Sequence, residues 1–168
     1  MRSLYLLRHA KSSWDDPTLA DHERPLAPRG RRDAGRIAAH LLELGIRPEL
    51  VLCSTALRTR ETLEVIRPAL GDATVKLEAE LYAASAVALL ERLREVPEKR
   101  TSVMLIGHNP GLQDLALALA PAGPGRDRLE AKFPTAALAT LTIPAATWQE
   151  LTPADAVLAD YVVPKQLG

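Results

Sequence analysis

Cysteine is nearly absent from this 168-residue sequence, Cys53 being the only one. An internal disulfide framework is therefore excluded, and the usage fits a reducing compartment. Histidine is scarce too: there are four, and none stands in a Cys/His spacing suited to a structural zinc. Neither sign of charge is in excess. Twenty-one Lys+Arg offset 21 Asp+Glu, giving a formal net charge of zero and a pI near 6.9. Nucleic-acid binders carry a basic footprint that these totals lack, so nucleic acid is not an expected partner, although a local basic pocket stays open. No apolar run nears the roughly 18 residues of a membrane span, and no membrane association is expected. The opening apolar stretch, Leu4-Tyr5-Leu6-Leu7, is four residues long before Arg8, too short for a secretory signal. The expectation is a cytoplasmic protein.

What is present is globular. Apolar residues make up 47% and charged residues 25% of the chain. The length suits one domain, residues 1–168, able to bury roughly 70% of its unfolded surface. Short apolar runs alternate with helical periodicity. Leu4 to Leu7 reads as a first strand. Ala34, Ile37, Ala38, Leu41 and Leu42 share one helix face, which Gly45 and Pro48 end. Leu50 to Cys53 is a second run, followed by a polar helix from about Ala56 to Arg67. Thr74 to Leu77 is a weaker strand, and Ala86, Leu89, Leu90 and Leu93 line another helix. Val103 to Ile106 is the clearest strand, with a helix lined by Leu112, Leu115, Ala116 and Leu119 after it. Ala136 to Ile143 reads as strand, residues 121–128 as a surface loop, and Trp148 to Val163 is ambiguous. Apolar strands interleaved with amphipathic helices predict a three-layer α/β/α sandwich around a mostly parallel central sheet.

In such sheets ligands bind beyond the carboxyl ends of the strands. The first strand ends in Arg8-His9. The second ends in Cys53-Ser54-Thr55, with Arg58 a turn later, and the fourth in Gly107-His108-Asn109-Pro110-Gly111. Two histidines and two arginines would thus meet on one edge of a chain with no net charge. Arginine forks and helix N-termini suit phosphate oxygens, so the edge is expected to hold a phosphoryl group. Blander readings stand beside this one. Arg58-Thr59-Arg60-Glu61 also fits a solvated helix face. Arg29, Arg31 and Arg32 read as surface charge and Cys53 as core, and His22 and His40 have no partner that the sequence identifies.

The segment Leu6-Leu7-Arg8-His9-Ala10 resembles the Arg-His-Gly signature of the histidine phosphatase superfamily, with alanine for glycine. Ser54 to Thr62 resembles its second motif, and Ile106 to Gly111 its third. The alanine, the short chain, Arg24-Pro25-Leu26 and Phe133-Pro134-Thr135-Ala136 together resemble the SixA-like phosphohistidine phosphatase branch, over roughly residues 3 to 143. The resemblance implies a phosphoglycerate mutase-like fold and a phosphatase with no cofactor and no metal. Its substrate would be a phosphorylated protein or a small phosphorylated molecule. His9 would be the nucleophile, and Arg8, Arg58 and His108 would clamp the phosphoryl oxygens, with Ser12, Gly107 and Asn109 as further substrate contacts. His108 would serve best as a cation, which implies a titration near or below neutrality. Glu80 stands where a general acid is expected, with Glu78 its competitor. Asp15 departs from the family pattern and receives no role. A mutase-like transferase and a silent phosphate-binding module are the alternatives, and a missing long insertion between Arg58 and His108 disfavours the first.

Overall fold

The computed structural model describes residues 1–168. Six strands form one sheet: β1 (Arg2–Arg8), β2 (Leu50–Ser54), β3 (Thr74–Glu78), β4 (Ser102–Gly107), β5 (Leu138–Ile143) and β6 (Val157–Val162), in the order β3-β2-β4-β1-β5-β6. The first four in that order run parallel; at one side β5 pairs antiparallel with β1, and β6 antiparallel with β5. Side chains alternate across each strand. Leu4 and Leu6, Leu50 and Leu52, and Val103 and Leu105 enter a core of 26 buried residues. That core is closed by α3 (Ala86–Arg94), α4 (Gly111–Leu119) and α5 (Arg126–Ala131). Leu7, Val51, Cys53, Met104 and Ile106 enter a second core of 16 on the opposite face. There α1 (Pro28–Leu44) and α2 (Leu57–Ile66) cover them through Ile37, Leu41, Leu63 and Ile66. The result is the expected three-layer α/β/α sandwich. No helix is long and apolar enough to cross a membrane.

Two segments differ from the sequence reading. The stretch 121–128 is a loop only to Gly125, whose φ of 81° is left-handed, and α5 starts directly after it. An Arg126–Glu130 ion pair at 3.1 Å and the buried Leu129 hold this short helix, features a loop reading overlooks. The ambiguous stretch resolves into a 3₁₀ turn at Trp148–Glu150, with Trp148 fully buried, followed by the edge strand β6. A register shift at Thr140/Leu141 breaks the β5–β6 pairing, which blurs the alternation that would have marked the strand.

Gly30, near the start of α1, fixes the segment that leaves β1. A Cβ there would lie 2.1 Å from the Lys11 carbonyl oxygen, so backbone must move. Gly30→Ala is expected to cost about 1–3 kcal/mol in a urea-unfolding measurement, the range for overpacking. It should also weaken inorganic phosphate binding by displacing Lys11 and Ser12. An unchanged midpoint would show that the segment gives way freely.

Candidate active site

Because β1, β2 and β4 run parallel, their carboxyl ends meet at one edge. Arg8 pairs with Gly107 across β1 and β4, and the His9 amide donates to the Gly107 carbonyl at 3.0 Å. Next along the edge, Ser54 ends β2. Its hydroxyl lies 2.8 Å from His108 Nε2, so the second motif holds the ring of the third. Thr62 ties the first motif to the second. Its hydroxyl accepts from the Ala10 amide at 3.0 Å and donates to the Arg58 carbonyl at 2.7 Å. The Phe133 carbonyl accepts from both Arg8 Nη1 at 3.1 Å and Asn109 Nδ2 at 3.0 Å.

These contacts surround a cavity of about 260 Å³. Its cationic lining comes from Arg8, Lys11, Arg24 and Arg58, with His9 and His108 beside them. Ser12, Asn109, Thr135 and Trp14 complete it. No carboxylate lines it. The His9 and His108 ring centroids are 5.3 Å apart. Arg8 Nε and Arg58 Nε are buried donors without a protein partner. A buried unpaired donor costs about 1–3 kcal/mol, which an anionic oxygen would recover.

The family model described as histidine phosphatase superfamily, branch 1, matches residues 4–99. The chain belongs to the histidine phosphatase superfamily. An uncharacterized protein of Mycobacterium tuberculosis is 37% identical over 164 residues, covering 95% of this chain and 100% of that protein. A solved structure from Nakamurella multipartitia that carries the name phosphohistidine phosphatase SixA is 30% identical, with a TM-score of 0.83 over 97% of this chain and 96% of its own. One from Agrobacterium tumefaciens with the same name is 32% identical, with a TM-score of 0.80 over 97% and 98%. Within the histidine phosphatase superfamily this chain is therefore SixA-like.

The electrostatics of this histidine phosphatase pocket depart from one expectation. Burial, then the carbonyl contact to Ala10 acting the other way, then the charges of His108 and Arg58, leave His9 with a pKa of about 3. His9 Nδ1 lies 2.8 Å from the Ala10 carbonyl, so a neutral ring donates from Nδ1 and keeps its lone pair on Nε2. Burial first, and Arg58 second, push His108 down to about 4. The expected cationic His108 is thus not the form of the free protein near neutrality, because a buried ring among arginines pays for charge twice. Ser54 Oγ accepts from the Ala56 amide at 3.3 Å and faces His108 Nε2 at 2.8 Å, holding the ring by that edge.

A stability prediction follows from the sign of these shifts. The unfolded histidines protonate below about pH 6.5, while the folded ones resist until about 3 to 4. Stability is then complete above 6.5 and falls as pH drops toward 4, by up to about 1.4 kcal/mol per pH unit for each histidine. Urea unfolding at pH 7 and pH 4.5 should show the loss, and His9→Ala should lessen it. A wild-type midpoint that does not move between those pH values would contradict the assigned burial of charge-averse rings.

Glu80 does not join the cavity lining. It is exposed and lines a separate groove with Glu78, Glu91, Arg92 and Glu95, because the 3₁₀ turn Ala79–Leu81 buries Leu81 and turns Glu80 outward. Its competitor Glu78 is committed to Arg92, at 2.6 and 2.8 Å. Gly107 contributes backbone rather than lining, whereas Ser12 and Asn109 both reach the cavity. Asp15 is exposed and outside it, and Cys53 is fully buried with its thiol pushed up to about 12 by burial. No group of three or more His, Cys, Asp or Glu is arranged to hold a metal ion.

Asp21 and Tyr82 receive no role from the sequence, and Arg24 stands there only within the Arg24-Pro25-Leu26 resemblance. The Asp21 carbonyl accepts from Arg58 Nη1 at 2.7 Å. Its carboxylate accepts from Arg58 Nη2 at 3.0 Å, from Arg24 Nε at 3.2 Å and from the Tyr82 hydroxyl. Tyr82 holds the Asp21 carboxyl well below the usual range, with Arg58 and Arg24 adding to this. Tyr82 stands edge-on to His108 at 5.4 Å and to His22 at 4.9 Å. His22 thus has partners after all, its Nε2 being 2.9 Å from the Thr55 hydroxyl. Asp21 precedes Arg24 by three residues, a spacing that also describes ordinary surface pairs, so the sequence alone offered little warning.

Proposed function

We propose that this histidine phosphatase hydrolyses phosphohistidine or a related phosphoramidate through a covalent phosphohistidine on His9. The observation that carries the reading is a cavity with two neutral histidines and four cationic side chains but no carboxylate. His9 Nε2 attacks phosphorus, the bond to the leaving group breaks, and that group departs with its electron pair and takes a proton from water. Water then attacks the phosphohistidine, the P–N bond to His9 breaks, and inorganic phosphate leaves with His9 neutral again. Arg8, Arg58 and His108 stabilise the charge on the non-bridging oxygens during both steps. Arg24 and Ser12, joined at 2.8 Å, add donors at the same cavity. The substrate is phosphorylated protein or a small phosphorylated molecule met in the cytoplasm.

The absence of a lining acid selects leaving groups. An alkoxide needs a proton as it departs, and a well-placed acid supplies about 10²–10⁴-fold to such steps. Asp21 cannot fill that role, since Tyr82 and two arginines hold it ionised. Phenolate needs far less help, and a phosphoimidazole already protonated on its distal ring nitrogen releases neutral imidazole without any acid from the protein. Values of kcat/KM for 1-phosphoimidazole and aryl phosphates should therefore exceed those for sugar phosphates by about 100-fold or more. Glu80→Gln should leave both classes within twofold of wild type. Equal efficiency on sugar phosphates, or a selective loss of them in Glu80→Gln, would contradict the reading.

A further inference from the structure

Two tryptophans occur in this chain, and they have opposite surroundings. Trp148 is fully buried, whereas Trp14 is 71% exposed. Large aromatic side chains normally bury most of their surface, so an indole left in water at the mouth of a site calls for a partner. Trp14 is also the one apolar side chain in the lining of the phosphoryl cavity. Its position is fixed from one side. The Arg24 guanidinium carbon lies 3.5 Å from the centre of the indole ring, a cation–π contact. Arg24 is itself buried and anchored by the Ser12 hydroxyl at 2.8 Å, the Ser13 carbonyl at 3.1 Å and Asp21 at 3.2 Å. A fixed cation therefore backs the indole.

We infer that Trp14 is the leaving-group platform of this site, stacking against a planar ring bonded to phosphorus. The inference rests on the proposed transfer to His9 and narrows the substrate to ring-bearing groups such as imidazole or aryl. A cavity of about 260 Å³ has room beyond a phosphoryl group, since one water occupies roughly 30 Å³ of liquid and a phosphoryl only a few times that. His9 and Trp14 line the same cavity, so a flat substituent on a phosphorus held at His9 would share that cavity with the indole. A ringless substituent has nothing to offer the indole. The backing charge on Arg24 favours an electron-rich ring, whose face it would share through the indole.

The test compares substrates with the same P–N bond, 1-phosphoimidazole and ringless phosphoramidate, in wild type, Trp14→Ala and Trp14→Phe. The ratio of their kcat/KM values should fall about 5- to 20-fold in Trp14→Ala, mainly through KM, and Trp14→Phe should retain most of it. An unchanged ratio overturns the inference, whether both rates fall together or neither does, since a side chain that only props Arg24 would affect both substrates alike. A binding arm is independent of turnover. Phenylphosphonate should shift or quench the emission of Trp14, inorganic phosphate should do so much less, and Trp14→Phe should abolish the difference while leaving the Trp148 signal. Identical responses to the two ligands would also overturn it. If the wild type turns over neither substrate, the proposed reaction fails, and the emission arm still decides the platform.

Discussion

His9→Ala is expected to lower kcat on 1-phosphoimidazole by about four orders of magnitude or more while the chain still folds. Removing a nucleophile eliminates the covalent route, and such losses are far larger than those from any single supporting contact. The fold should tolerate the change because His9 costs the folded state its solvation. Burial drives its pKa to about 3, and its one recorded side-chain hydrogen bond is the local one to the Ala10 carbonyl. The measurement is a steady-state rate together with a thermal melt. Residual activity above about 1% with an unaltered melt would mean that another group attacks phosphorus. His9, like His108, keeps an unprotonated ring nitrogen in the cavity at every pH above its low pKa. The acid limb of kcat/KM should accordingly lie near pH 3–4 rather than near 6.5.

Arg58→Ala should cost about 10²–10³ in kcat/KM, or roughly 2.7–4 kcal/mol, the range for losing one preorganised donor to a developing oxyanion. Arg58→Lys should recover only a small part. Two guanidinium nitrogens of Arg58 are engaged by Asp21, one by its carbonyl and one by its carboxylate, while Nε stays buried without a protein partner. A lysine ammonium can reproduce the charge but not this planar division of donors. Circular dichroism would separate a lost clamp from a lost fold, since the substitution also leaves Asp21 without its nearest cation. A lysine variant within threefold of wild type would show that charge alone suffices and that the fork geometry is incidental.

The parts of this architecture that were legible in the sequence share a physical reason. Strands β1, β2 and β4 are buried on both faces, so Leu4 to Leu7, Leu50 to Cys53 and Val103 to Ile106 read as unbroken apolar runs. Their carboxyl ends carry the residues that matter, and a parallel sheet brings such ends together whatever the loops do. That logic located Arg8, His9, Arg58 and His108 at one cavity. It also placed Asn109 there, but most of the other contributors lie outside strand ends. Trp14, Asp21 and Arg24 sit in the long connection between β1 and α1, where no periodicity constrains the side chains. Tyr82 follows a 3₁₀ turn whose direction decides everything: it brings Tyr82 toward Asp21 and sends Glu80 to another groove. A carboxylate two residues away from the relevant tyrosine was the natural choice by spacing and the wrong one by geometry. The protonation state of His108 was equally hidden, since it depends on burial and on Arg58, 50 positions earlier in the chain. Strand β6 escaped because its alternation is interrupted by the register shift against β5.

The central claim is that the phosphoryl group passes through His9. Mixing enzyme with 1-phosphoimidazole, quenching in alkali within milliseconds and mapping the phosphorylated peptide by mass spectrometry tests it directly. The account predicts one phosphoryl group per chain, carried by the peptide containing His9, formed in a burst and absent from His9→Ala. A label on His108 or on any other residue, or turnover with no phosphoenzyme at any time point, would contradict it.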